Sequence, residues 1–351
     1  MHLSLRKSAL VHEGGFPEGW MPTATHGQCE GSWRGIQVRA ALRALDTVFF
    51  VRTTFWRCLI FRACLGAALP LLPPVLVADD GEPYRFQRFV EIPESVELGA
   101  VSAVAIGPEG QTYVLHRGEP PLLAYDRSGK YTHGWGQGDF GVAHGLRVDS
   151  AGNVWATDNG LHVLWKFSRD GKVLAMFGEK GVGGNDDSHF RSPDDLVFAS
   201  NGDIFVADAG NGRIVHMSPE GKFLGQWGRK GKAEGEFAAA HGIGIDARDR
   251  IYVADRGNNR VQVFSKDGKF LAAWSGFGNP FGVLVVGDEL IVSDGDAHTI
   301  SHLRLRDGKM TAQWGSPDTL LLPHLMDSDA SGQLYVTEVN GQRVQVFRRT
   351  D

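Results

Sequence analysis

The sequence predicts an all-β fold, a six-bladed β-propeller whose ring is closed by an N-terminal strand. Three observations carry this. A short marker recurs six times: TYVLH at Thr112, VWATD at Val154, IFVAD at Ile204, IYVAD at Ile251, LIVSD at Leu290 and LYVTE at Leu334. Its copies lie about 40 to 50 residues apart, the period of a four-stranded propeller blade. The last copy lacks a fourth strand, while the alternating stretch Tyr84 to Ile92 is left over at the start. That strand completes the sixth blade and leaves no open sheet edge.

Each copy reads the same way. In the stretch from Ala143 to Phe167, Leu146 and Val148 form a first strand and Ser150-Ala151-Gly152-Asn153 a turn. Val154, Trp155 and Ala156 begin the second strand, and Leu161 to Phe167 carry the third. Short runs of β-formers punctuated by Gly, Asn and Asp read as strand, tight turn and strand. Charged hairpin turns follow, such as Ser168-Arg169-Asp170-Gly171-Lys172 and Ser265-Lys266-Asp267-Gly268-Lys269. Each leads into a fourth strand ending on Trp135, Phe177, Trp227, Trp274 or Trp314.

The formal net charge is -5, which points away from nucleic acid and anionic membranes as partners. Cys29, Cys58 and Cys64 all precede Asp79. The body from Asp79 therefore has no disulfide, thiolate nucleophile or Cys-rich zinc site.

Residues 1–50 show neither repeat nor sustained periodicity and read as an extension upstream of the true start. Residues 51–78 have the layout of a secretory signal: Arg52, Arg57 and Arg62, then an apolar run from Ala63 to Ala78. The run is short for a membrane span and carries three prolines. The expectation is cleavage near Ala78-Asp79, export to the periplasm or medium, and no membrane attachment afterwards. Residues 79–351 form the propeller, expected to be a monomer.

The first strand of each propeller blade lines the central channel. Aligning the copies places Ser102, His144, Asp194, His241, Phe281 and His324 in one ring. Histidine falls on blades two, four and six, so three imidazoles converge on one axis. Three protein ligands with an open position are what a catalytic zinc needs, although imidazole also suits copper, iron and nickel. The plainer alternative is three channel histidines bonded to water or backbone. Asp194 shares the ring, placed to orient a ligand or act as a base.

Gly210-Asn211-Gly212-Arg213 and Gly257-Asn258-Asn259-Arg260 resemble the NHL repeat, with Gln342-Arg343 a weaker match. YVLHRG at Tyr113–Gly118, HGLRVDSAGNVWATDNGLHVLWKF, HFRSPDDLVF with DIFVAD, AHGIGID with IYVADRGNNRVQVF, and PHLMDSDASGQLYV resemble peptidyl-α-hydroxyglycine α-amidating lyase. The resemblance runs from Val96 to Phe347. It implies a zinc held by His144, His241 and His324, and a structural calcium held partly by the backbone carbonyls of Val104 and Leu146. It gives Arg117 the role of catalytic arginine; the plainer reading of Arg117 is an ion pair with Glu119. The implied reaction splits an α-hydroxyglycine-extended peptide into a peptide amide and glyoxylate.

The sequence departs from the family in two places. The family's tyrosine base follows the third blade's second strand, where this chain has Asp208-Ala209-Gly210-Asn211-Gly212-Arg213 and no tyrosine. Asp194 or His189 is left as a candidate base, while Tyr252 and Tyr335 read as packing. Leu325 stands where the family has an aspartate beside the calcium. Three functions follow in order: a metal-dependent lyase acting on a peptide or small hydroxylated amide; a non-catalytic propeller binding a peptide, protein or glycan; and, last, a metal-dependent lactonase.

Overall fold

The computed structural model describes residues 82–350. The expected extension and signal segment lie outside the described residues. Six four-stranded antiparallel sheets are present. Blade one comprises Val101–Ile106, Thr112–His116, Leu122–Tyr125 and Tyr131–Trp135, in that order from the axis outward. Blades two to five repeat the order, beginning at Ala143–Val148, Pro193–Phe198, Ala240–Ile245 and Pro280–Val286. Blade six joins Pro323–Ser328, Leu334–Glu338 and Arg343–Arg349 to the first strand of the fold, Tyr84–Phe89. Tyr84 pairs with Arg349 and Phe89 with Gln345, so the ring closes as the sequence predicts.

Burial follows radial position. The marker strands are second from the axis and buried along their length, as in Thr112–His116, Val154–Asp158 and Ile251–Asp255. Outer strands alternate between exposed and half-buried, as in Phe223–Trp227. The core lies between neighbouring blades. Leu115 and Trp135 of blade one pack with Leu146, Val154, Trp165 and Phe167 of blade two. A Cβ on Gly171, in blade two's hairpin turn, would lie 2.7 Å from the Trp135 ring. The turn glycine is therefore what lets the preceding blade's aromatic pack closely.

The acidic end of the marker also has a physical cause. Asp158 accepts the backbone N–H groups of Gly141 and Val142 at 2.8 and 2.9 Å. Asp208, Asp255, Asp294 and Glu338 accept the corresponding loop amides in their blades. The repeat arginines lock three of these acids: Arg213 Nε donates to Asp208 at 2.7 Å, Arg260 to Asp255 at 2.8 Å and Arg343 to Glu338 at 3.0 Å. Such caps satisfy loop amides that would otherwise be buried without partners.

Blade one uses a histidine for the same task. Buried His116 accepts Gly99 N–H at 3.2 Å and Gly118 N–H at 3.0 Å on Nδ1. An acceptor nitrogen must be unprotonated, and burial lowers this imidazole to about 4. Above the unfolded value near 6.5, both states are neutral and this site adds no pH dependence. Between 6.5 and 4, only the unfolded chain takes up the proton, so stability falls as pH falls, by about 1.4 kcal/mol per unit. His116→Asn should flatten that part of the Tm-against-pH curve. An unchanged slope in thermal melts would contradict the assignment.

Candidate metal centre

Each innermost strand begins with a β-bulge. The ladder skips between Ala143 and Leu146, Ala240 and Ile243, and Pro323 and Met326, with related skips in blades one, three and five. A bulge adds a residue to one strand, frees its backbone groups and re-aims its side chain. The residues re-aimed are those of the predicted ring.

The bulges on odd and even blades have complementary uses. His144 Nδ1–H donates to the carbonyl of Asp194 on blade three at 2.8 Å. His241 does the same to Phe281 on blade five at 2.8 Å, and His324 to Ser102 on blade one at 2.5 Å. Each even blade supplies an imidazole, and the next odd blade supplies the carbonyl that fixes it. A carbonyl only accepts, so each Nδ1 carries the proton and each Nε2 keeps its lone pair. Glycine follows two of the histidines because the blades meet closely there. A Cβ on Gly145 would sit 2.5 Å from the Asp194 carbonyl oxygen, and one on Gly242 2.5 Å from that of Phe281.

The structure brings the three predicted histidines together. Ring centroids lie 4.7 Å apart for His144 and His241, and 4.9 Å for each of the other pairs. One ring nitrogen from each lies within 4.8 Å of the others, and all three side chains are buried. His241 Nε2 has no hydrogen-bond partner. A buried, orphaned nitrogen facing two others, each locked in the ligand tautomer, fits one first-row metal ion of the zinc class.

Asp194, from the same ring, is buried beside them. Its Oδ1 is 3.8 Å from His144 Nε2 and its Oδ2 is 4.0 Å from His241 Nε2. These separations exceed hydrogen-bond length, so the carboxylate faces the same point as the imidazoles without capping them. Asn159 Nδ2 donates to Oδ1 and fixes the carboxylate from the neighbouring blade. Burial raises the Asp194 carboxyl above the ordinary range, opposed by His144, Asn159, Arg256 and Lys230. Burial and mutual repulsion push His241 and His324 well below the usual imidazole range. His144 is lowered by burial, opposed by Asp194.

Arg117 lies at the rim. Its Nε donates to the Ala143 carbonyl at 3.3 Å, and its charge reaches Asp194, His144 and His324. Glu119, its plainer partner, instead accepts from Gly138 N–H at 3.4 Å. Arg256 was not singled out by the sequence. It extends over the Phe281 ring at 4.8 Å, and its charge acts on Asp194 and all three histidines. Arg117, Asn159 and Arg256 each directly follow a marker strand. The ladder pairs Ala143 with Asp158 and Ala240 with Asp255, so these positions sit at the same end of their blades as the histidines.

The remaining candidates are placed as follows. His189 is held by Asp186 at 2.9 Å and faces Glu179 at 3.5 Å, a pairing that raises its imidazole. Tyr252 donates to Asp246 at 3.1 Å and Tyr335 to Asp329 at 3.5 Å, consistent with packing. Val104 and Leu146 lie on neighbouring innermost strands, beyond the histidine ring. In the metal-free protein, His241 and His324 should stay neutral well below pH 6.5, while His189 should titrate above it. Imidazole NMR signals followed against pH check this, and ordinary titration of the channel pair would contradict it.

Comparison with known proteins agrees with the architecture. The NHL repeat family matches residues 190–217 and 237–264. Peptidyl-glycine alpha-amidating monooxygenase of Mus musculus is 32% identical over 181 residues, 42% of this chain and 18% of that protein. The probable peptidyl-alpha-hydroxyglycine alpha-amidating lyase pgal-1 of Caenorhabditis elegans is 32% identical over 157 residues, 38% of this chain and 45% of that protein. The chain thus spans less than half the length of either relative. Virginiamycin B lyase from Staphylococcus aureus superposes with a TM-score of 0.55 at 14% identity, covering 76% of this chain and 87% of that one. That likeness is one of fold.

Proposed function

We propose that the protein is an exported, zinc-dependent carbon–nitrogen lyase that cleaves an α-hydroxyglycine-like amide to an amide and glyoxylate. Relatives named as amidating lyases support the reaction class. The observation that carries the reading for this chain is the placement of one buried carboxylate across two imidazoles that are themselves locked as ligands.

His144, His241 and His324 would hold the metal through Nε2. A bound zinc ion acts as a Lewis acid and lowers the pKa of a hydroxyl that it contacts. The rest falls to the side chains. Asp194 takes the proton of the substrate hydroxyl. The O–H electron pair becomes the second bond of the glyoxylate carbonyl, the C–N bond breaks, and the amide nitrogen takes up the proton that Asp194 holds. Asn159 keeps the carboxylate aimed at that hydroxyl. A buried carboxyl with a raised pKa is a better base than a solvated one. This assignment answers the missing tyrosine, because the carboxylate belongs to the same blade.

Arg117 and Arg256 suit the substrate's carboxylate. Guanidinium stays charged and offers a planar fork that matches two carboxylate oxygens. Peptides or small acyl groups beyond the hydroxyglycine would lie over the open rim. The leader-like stretch supports a periplasmic or secreted enzyme.

Zinc-supplemented protein should bind about one metal per chain and release glyoxylate from N-benzoyl-α-hydroxyglycine. Asp194→Asn should keep the metal but lose about 10²- to 10⁴-fold in kcat. Stoichiometric metal without glyoxylate release from hydroxyglycine substrates would overturn the lyase reading and favour a binding propeller.

A further inference from the structure

The channel holds a second charged cluster beyond the histidines. Arg147 and Asp327 each lie three residues along their strands from a histidine, roughly 10 Å at about 3.3 Å per residue. Arg147 Nη2 donates to Asp195 Oδ2 at 2.7 Å, and Nη1 donates to the Leu146 carbonyl at 3.2 Å. Nη2 also reaches the Ile243 carbonyl at 3.5 Å. A side chain from blade two thus touches blades three and four across the axis. Asp195 Oδ2 also accepts Ile243 N–H at 3.2 Å. On the other side, Asp327 of blade six accepts Ile106 N–H of blade one at 2.8 Å. The Arg147 charge acts on Asp327 as well as Asp195.

One guanidinium therefore sits among two carboxylates and two strand carbonyls. Hard oxygen groups of this kind, two of them anionic, are what a calcium ion takes. Leu146 is one of the two carbonyls that the family resemblance offers to calcium, and here it already accepts from Arg147. The donor set around Leu146 contains a cation of its own and does not fit calcium as well. Without a cation, the Asp195 carboxylate would be buried uncompensated, which is costly.

We propose that the Arg147 guanidinium is the resident cation of the channel. It takes the place of a structural calcium and joins blades two, three and four through Asp195 and Ile243. Removing it leaves Asp195, Asp327 and the Leu146 carbonyl as a site for one divalent calcium.

Equilibrium dialysis against radioactive calcium tests this on the full, zinc-loaded chain, with melts recorded in parallel. The wild type should retain no stoichiometric calcium, and millimolar calcium should not move its Tm. Arg147→Ala should melt lower, bind about one calcium per chain and regain Tm as calcium is added. Arg147→Ala with Asp195→Asn should lose that rescue. Stoichiometric calcium in the wild type would overturn the proposal, as would an Arg147→Ala protein indifferent to calcium. If Arg147→Ala does not fold, Arg147→Lys decides. It keeps the charge and should stay calcium-independent, so calcium-dependent melting of that variant would overturn the proposal. Neither measurement depends on lyase activity.

Discussion

The hydrogen bond from an imidazole Nδ1 to the next blade's carbonyl is the contact on which the site depends. It needs three things together. A bulge must free a carbonyl on the odd blade, a bulge must turn a histidine inward on the even blade, and the two blades must approach closely. Gly145 and Gly242 permit that approach. Thr157 strengthens it, taking Gly145 N–H at 2.7 Å and donating to the Asp194 carbonyl at 2.9 Å. The same bond fixes the tautomer, and the tautomer leaves Nε2 free. Backbone geometry therefore sets which nitrogen of each imidazole is free to coordinate, as preorganised sites require.

Charge is arranged in two levels along the axis. At the histidine level, neutral imidazoles surround a point faced by one carboxylate and approached by two guanidinium groups. At the deeper level, a guanidinium meets two carboxylates. Low effective dielectric makes these pairings strong and makes an unpaired member costly. The two levels share strands, since His144 and Arg147 lie on one and His324 and Asp327 on another. The histidine ring and the ionic cluster are thus positioned by the same backbone segments.

Most of the architecture was legible in the sequence because the repeat states it six times. Marker strands, hairpin turns and the closing strand all fall where the repeats place them, with ends moved by one to three residues. Glu289 joins the fifth marker strand, and the closing strand stops at Phe89. The three histidines were legible because one residue type recurs at one repeat position. Arg256 and Asn159 were not, because the position after the marker strand holds Arg117, Asn159, Ala209, Arg256, Gly295 and Val339. Only the register shows that this position borders the site. Arg147 was hidden for another reason. Strict alternation turns a residue three places from a channel residue away from the channel. The bulge resets that phase, and nothing in residue type announces a bulge here.

His144, His241 and His324 are proposed as one metal centre on the propeller axis. Anomalous scattering at the zinc absorption edge, from crystals grown with zinc, tests it most directly. A peak about 2.0 to 2.1 Å from all three Nε2 atoms is expected. Zinc bound at surface histidines such as His189, with no density on the axis, would contradict it.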